Sequence, residues 1–212
     1  MADIIDYKKK YKDLYLPQIE PSLIKIPEIV FVAVEGKGDP NENNGEYQSA
    51  LGILYGIQYT IKMSKKGTNV PNGYFDYVVP PLEGLWWTLN RKIDLKNKSE
   101  FNWISMIRLP EYVNKEVFKW ACEEAHKKKK INTEKAYLYK LNEGLCVQCM
   151  HIGSFDDEPT TMKLIDNFIL NNNLVNDIND KRRHHEIYLS DFRKTDMDKL
   201  KTVLRIPVKK NL

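Results

Sequence analysis

His184-His185-Glu186-Ile187-Tyr188-Leu189-Ser190 alternates polar and apolar side chains, the pattern of a half-buried strand. With a period of two, His184, Glu186 and Tyr188 share one face, and His185, Ile187 and Leu189 share the other. Ile187 and Leu189 mark the second face as core. Glu186 then points the opposite way, beside an aromatic hydroxyl. Facing open water it is an ordinary carboxylate, or a partner for Arg182 or Arg183. Facing an aromatic cleft it is the most consequential acid in the chain.

Working outward, Ile29-Val30-Phe31-Val32-Ala33-Val34 is a continuous β-branched-rich run, which reads as a strand covered on both faces. Gly36-Lys37-Gly38-Asp39-Pro40 turns the chain. It lacks the third glycine of a dinucleotide loop and the Walker pattern. Tyr47, Ala50, Leu51, Leu54, Ile57 and Ile61 recur at helical spacing across 43–63, with Asn43 or Asn44 as cap. Residues 74–79 and 82–89 read as a hairpin joined through Pro80-Pro81. Residues 90–100 are charged and loop-like. Residues 101–109 read as a strand stopped by Pro110, and 111–129 as a helix ending in a lysine run. Residues 136–141 and 145–152 read as a hairpin turning at Asn142-Glu143-Gly144. A helix to 171, the opening strand, a polar turn at 191–200 and a closing strand at 202–206 follow. Residues 3–15 are polar with a weak helical period, and three prolines make 17–28 an extended lead-in.

Two segments share an order of elements. One is strand 29–34, helix 43–63, then strands 74–79 and 84–89. The other is strand 145–152, helix 159–171, then strands 184–190 and 202–206. The expected fold class is α+β: duplicated strand-helix-strand-strand units forming pseudo-twofold antiparallel sheets, with helices packed on one side and a cleft between the halves. One domain would span 1–212, with a lead-in (1–28), a first half (29–100), a central insertion (101–141) and a second half (142–212).

The 212 residues, 42% of them hydrophobic, suffice for a sizeable core. The net charge of +4 is mild and both signs are interspersed, which argues against nucleic acid. No run approaches about 18 apolar residues, so no membrane span is expected. The start lacks the apolar core of a signal peptide, and three cysteines suggest no disulfide framework. The expected location is a reducing cytoplasm. Cys146 and Cys149 sit three apart on a strand and so face opposite ways, a poor metal clamp. His126, His151, His184 and His185 show no zinc spacing with nearby carboxylates. No metal and no cofactor is expected.

Phe31-Val32-Ala33-Val34-Glu35-Gly36-Lys37-Gly38-Asp39-Pro40-Asn41, then Pro80-Pro81-Leu82-Glu83-Gly84-Leu85-Trp86-Trp87, then His185-Glu186-Ile187-Tyr188-Leu189-Ser190-Asp191 together resemble the GyrI-like small-molecule-binding domain proteins. The likeness runs from about Pro17 to the end. It implies a fold shared with effector domains of multidrug-responsive regulators and with SOUL haem-binding proteins. In those regulators a buried glutamate among aromatics binds flat cationic drugs, and some stand-alone members hydrolyse cyclopropane-bearing DNA-alkylating compounds. The family glutamate falls on Glu186. No helix-turn-helix segment precedes the domain, which argues against a regulator in cis.

The expected function is therefore binding of flat hydrophobic or cationic xenobiotics, with hydrolysis of electrophilic, cyclopropanoid-type compounds by Glu186 as general base. The alternative is a non-catalytic drug-binding or protein-inhibiting module, as a monomer or weak homodimer. A desolvated glutamate works as a base near neutral pH, and an ionised one attracts cations, with rings adding about 0.5–2 kcal/mol. Tyr188 shares its face and would donate to an oxyanion; its plain reading is a surface tyrosine. Trp86 and Trp87 face opposite ways, so one packs in the core and the other lines the cleft. Trp120 lies on an apolar helical stripe and reads first as core. Trp103 and Met106 point to opposite faces, so at most one reaches the pocket. Tyr112 is a candidate cap for the cleft, and Glu83 a further candidate ligand contact.

Overall fold

The computed structural model describes residues 4–88, 97–191 and 194–211. The expected strand end at Leu89, the charged stretch at 90–96, and Phe192-Arg193 in the polar turn lie outside the described residues. Among the described residues nine strands form one antiparallel sheet: β1 (Ser22–Ile26), β2 (Ile29–Lys37), β3 (Leu82–Trp87), β4 (Asn102–Arg108), β5 (Ala136–Leu141), β6 (Gly144–Ile152), β7 (Leu174–Asn176), β8 (His184–Tyr188) and β9 (Lys201–Lys210). Their order is β1-β6-β9-β8-β3-β4-β2-β5, with β7 added beside β9. The main helices are α3 (Glu46–Met63), α4 (Lys115–Lys129) and α5 (Glu158–Asn171). Two one-turn helices, α1 (Tyr7–Lys10) and α2 (Lys12–Tyr15), precede them.

The order shows the duplication. The run β2-α3-β3-β4 gives the sheet half β3-β4-β2, and β6-α5-β8-β9 gives β8-β9-β6. The halves meet where β3 pairs β8 antiparallel, with Leu82 opposite Tyr188, Gly84 opposite Glu186 and Trp86 opposite His184. The first unit differs from expectation in its last two strands. Residues 74–79 make only an isolated parallel bridge, Tyr77 to Ile5. The second strand is β3, and the third is β4, from the stretch read as an insertion. The composition of 74–79 suits a strand, but Pro80-Pro81 leaves no continuous ladder beside β3.

The expected hairpin of β5 and β6 is also absent. β5 pairs β2, while β6 pairs β1 and β9. Yet only Asn142-Glu143 separates β5 from β6, and only Pro27-Glu28 separates β1 from β2. Each such link spans at most about 11 Å, whereas eight flat strands at about 4.8 Å spacing would hold the edges roughly 34 Å apart. The sheet must curl until its two edges approach, without closing. Glu143 sits at that seam.

Curling gives the sheet two unlike faces. On the outer face α3 covers the first half and α5 the second, with Leu54, Ile57, Ile61, Ile165 and Ile169 buried. The α3 start is Gly45, with no side-chain cap, rather than Asn43 or Asn44. The α4 start is Asn114, three residues later than expected, and its side chain accepts from Val117 N at 2.9 Å. The inner face is filled by the N-terminal segment: Tyr7, Leu14 and Tyr15 are all buried, and Arg108 stacks on Tyr7 and Tyr11. Among the described residues, no helix is long and apolar enough to cross a membrane.

Candidate functional site

The outer face is left uncovered between α3 and α5, over the β3–β8 seam. There the walls enclose a cavity of about 1180 Å³. Tyr47 and Tyr55 from α3, Trp86 from β3, Phe101, Phe155 and Tyr188 make it aromatic. Glu186, Glu158 and His184 bring two carboxyls and an imidazole to its wall, which Asp156, Asp166 and Asp191 also border.

Strand parity and one glycine build the centre of this wall. Tyr188 donates its hydroxyl proton to Glu186 Oε2 at 2.7 Å. Trp86 Nε1–H donates to the Tyr188 oxygen at 2.8 Å. His184 Nε2 lies 3.0 Å from Glu186 Oε1. Gly84 faces Glu186 across the ladder, and a Cβ there would lie 2.7 Å from Trp86 Nε1 and 3.2 Å from the Tyr188 hydroxyl. The missing side chain is what lets indole, phenol and carboxylate meet. Burial, and then the neighbouring Glu186, push the Tyr188 hydroxyl well above the usual phenol range, so it remains a proton donor at all ordinary pH.

The surrounding rings fix the geometry. Tyr47 packs edge-on to Trp103 at 5.1 Å and tilted to Trp86 at 5.5 Å. Phe101 stands edge-on to Trp86, and Phe155 edge-on to Tyr188. Glu158, in the first turn of α5, is 8% exposed, and its Oε1 has no hydrogen-bond partner. Burial first, and then the Glu186 charge, raise its carboxyl well above the usual range, which favours the neutral form.

The sequence candidates separate cleanly in space. Glu186, Tyr188 and Trp86 come together. Trp87 also borders the cavity, but points to the opposite strand face, where the Arg183 guanidinium lies 4.6 Å from its ring centre. Trp103 is fully buried over Gly36, outside the cavity wall. Met106 is equally buried and faces the inner side. Trp120 packs half-buried against the main core, and Tyr112 packs tilted against Tyr74 and edge-on to Phe75; neither borders the cavity. Leu189, expected in the core, lies past the end of β8, half-buried against the main core, and also borders the cavity.

Glu83 is turned inward and away from the cavity. It is 2% exposed and belongs to a second polar cluster with His185, Glu143 and Arg205. His185 Nδ1 lies 3.0 Å from Glu143 Oε1, and Arg205 Nη1 donates to Glu143 Oε2 at 2.9 Å. His185 Nε2 is 3.0 Å from Glu83 Oε2 but misaligned for a hydrogen bond, so that contact is an ion pair. Tyr15 donates to Glu83 at 3.3 Å, and Arg205 Nη2 to the Leu14 carbonyl and to Gln148. Burial alone would lower the His185 pKa; Glu143, then Glu83, overcome it and raise it to about 9. Burial likewise opposes the Glu143 charge, yet His185 and Arg205 hold its carboxyl down at about 2.

Sequence reasoning missed Glu158, His184, Tyr47 and Phe155 as parts of one site. Glu158 carries only a helix-start signal, an acid beside a proline. Nothing in the spacing links it to β8.

A family model described as the GyrI-like small molecule binding domain matches residues 19–209. The chain belongs to the GyrI-like family. This GyrI-like chain is 47% identical to a conserved protein of Listeria innocua, described as uncharacterized, over 97% of this chain and 100% of that one, with a TM-score of 0.92. A Listeria innocua structure described as a hydrolase is 45% identical, again over 97% and 100%, with a TM-score of 0.89. The C-terminal domain of EcmrR shares the fold at 12% identity and a TM-score of 0.52, over 90% of this chain and 98% of that one. No curated protein sequence matches.

Proposed function

We propose that this GyrI-like protein takes flat, hydrophobic, including cationic, molecules into the aromatic cavity, and that Glu186 activates a water molecule to open an electrophilic, cyclopropanoid-type ring. The observation that carries this reading is the Trp86–Tyr188–Glu186–His184 chain of hydrogen bonds at the base of an aromatic cavity. The description of a 45%-identical relative as a hydrolase supports it.

Each Glu186 oxygen accepts one protein hydrogen bond, and a carboxylate oxygen has two lone pairs. One lone pair on each therefore remains for a water. Water oxygen bonds to the strained ring carbon as Glu186 takes its proton. The ring bond breaks and its electron pair moves to the substrate's electron-accepting oxygen. The Tyr188 hydroxyl turns to stabilise that charge, while the rings hold the substrate plane in place.

Incubating a cyclopropanoid alkylating agent with wild type and Glu186→Gln, and following the hydrated product by mass spectrometry, tests this. With an uncharged agent, which does not depend on the Glu186 charge for binding, the expected result is turnover in wild type and a loss of about 10²-fold or more in the variant, with binding retained. Binding without turnover in both proteins would leave a drug-binding module and remove the catalytic role.

A further inference from the structure

Glu158 sets a problem that the hydrolase reading does not use. Its Oε1 is buried at the cavity wall without a partner, and buried carboxyl oxygens ordinarily have one. Its position in the first turn of α5 favours negative charge through the helix dipole. Glu186 and Asp156 beside it oppose that charge. The nearby cation, Lys98, is already paired with Asp156 at 3.4 Å.

We propose that Glu158, His184 and Glu186 form a binding site for one transition-type divalent cation, held by an imidazole nitrogen and two carboxylates, with its remaining positions open to the cavity. One donor atom from each residue lies within 4.8 Å of the other two. Two ligand atoms about 2.1 Å from a common ion, at 90–110° to each other, stand about 3.0–3.4 Å apart. His184 Nε2 and Glu186 Oε1 are already 3.0 Å apart. Glu158 closes the remaining gap by side-chain rotation, which no hydrogen bond on Oε1 resists.

A single dication compensates both carboxylates at once, which a proton on Glu158 does not. The ligand set selects the class of ion. One nitrogen and two carboxylates suit zinc, manganese, iron(II) or cobalt(II). Calcium wants six to eight oxygens, and magnesium keeps an octahedral oxygen shell. Three protein ligands with an open position is the pattern of reactive rather than structural metal sites. To ligate, His184 presents an unprotonated Nε2 and carries its proton on Nδ1, and Glu158 is in its carboxylate form. The sequence shows no such site because Glu158 is remote from β8 along the chain.

The test uses the full chain, stripped of metal and titrated with Co²⁺ in the absence of any organic ligand, so its outcome is separate from that of the hydrolase reading. Visible absorption and calorimetry are expected to saturate at one equivalent per chain. Glu158→Gln and His184→Gln are expected to weaken binding at least about tenfold, while a change at exposed His126 leaves it intact. If either variant fails to fold, electron spin-echo spectra of wild type loaded with Mn²⁺ must show one coupled imidazole nitrogen. Lack of saturable binding in wild type, equal affinity in Glu158→Gln, or no coupled nitrogen would overturn the proposal.

Discussion

Adjacent residues on one pair of strands build two polar clusters with opposite characters. On β3, Glu83 faces inward and Gly84 and Trp86 outward; on β8, His185 faces inward and His184 and Glu186 outward. The inner cluster pairs each charge: Glu83 and Glu143 flank His185, Arg205 bonds Glu143, and Tyr15, Gln148 and the Leu14 carbonyl complete it. The outer cluster opens on a cavity of about 1180 Å³ and leaves a carboxyl oxygen of Glu158 unpartnered. A closed network in which each charge faces an opposite one locks structure. An open one with spare donors and acceptors is available for a ligand. The difference lies in access and charge pairing, not in residue type, since both clusters use glutamate and histidine.

Removing one charge of the inner cluster should have the largest effect. Arg205→Met leaves Glu143 without its guanidinium and is expected to cost about 3–5 kcal/mol. Urea unfolding at pH 6 reads this, and the protein that remains folded should bind ligand normally. A loss under about 1 kcal/mol would mean that the inner network is not the structural one.

The inner cluster also sets a pH window. His185 is raised from 6.5 to about 9, so its stabilisation is complete below 6.5, declines as pH rises and is gone above about 9. Glu143 is lowered from 4.5 to about 2, so its stabilisation is complete above 4.5 and is lost as pH falls toward 2. The contribution of this cluster should therefore plateau between about pH 4.5 and 6.5. The alkaline limb alone is worth on the order of 3 kcal/mol. Unfolding midpoints across pH 4 to 10 check it, and a flat alkaline limb would contradict the assignment of His185.

Gly84→Ala probes the outer cluster. The new methyl group would lie 2.7 Å from Trp86 Nε1, so the indole must move off the Tyr188 hydroxyl. A cost of about 1–3 kcal/mol is expected, together with a change in tryptophan fluorescence. An unchanged spectrum would show that the seam tolerates a side chain.

Much of this was legible in the sequence. The alternation through His184 to Ser190 places Glu186 and Tyr188 on one face, and the structure keeps that parity. The long apolar run at β2 and the periodic face of α3 are equally plain. Three things were not local. Residues 74–79 carry strand composition, yet a strand needs a partner, and β4 took that place. Glu83 looks like any strand acid until the curl of the sheet brings Glu143 and Arg205 to the same side as His185. Glu158 shows the same limit, because only the packing of α5 beside the seam brings it to Glu186.

The most direct test of the contrast pairs two isosteric changes, Glu186→Gln outside and Glu143→Gln inside, in one set of melting and dye-binding measurements. With a planar cationic dye, Glu186→Gln should weaken binding at least about tenfold and leave the melting temperature nearly unchanged. Glu143→Gln, breaking a buried charge network worth about 3 kcal/mol or more, should lower the melting temperature by about 6–12 °C and leave the binding constant of the folded protein intact. Equal losses of binding in both variants, or an equal fall in melting temperature, would contradict the division between a locked inner face and an open outer one.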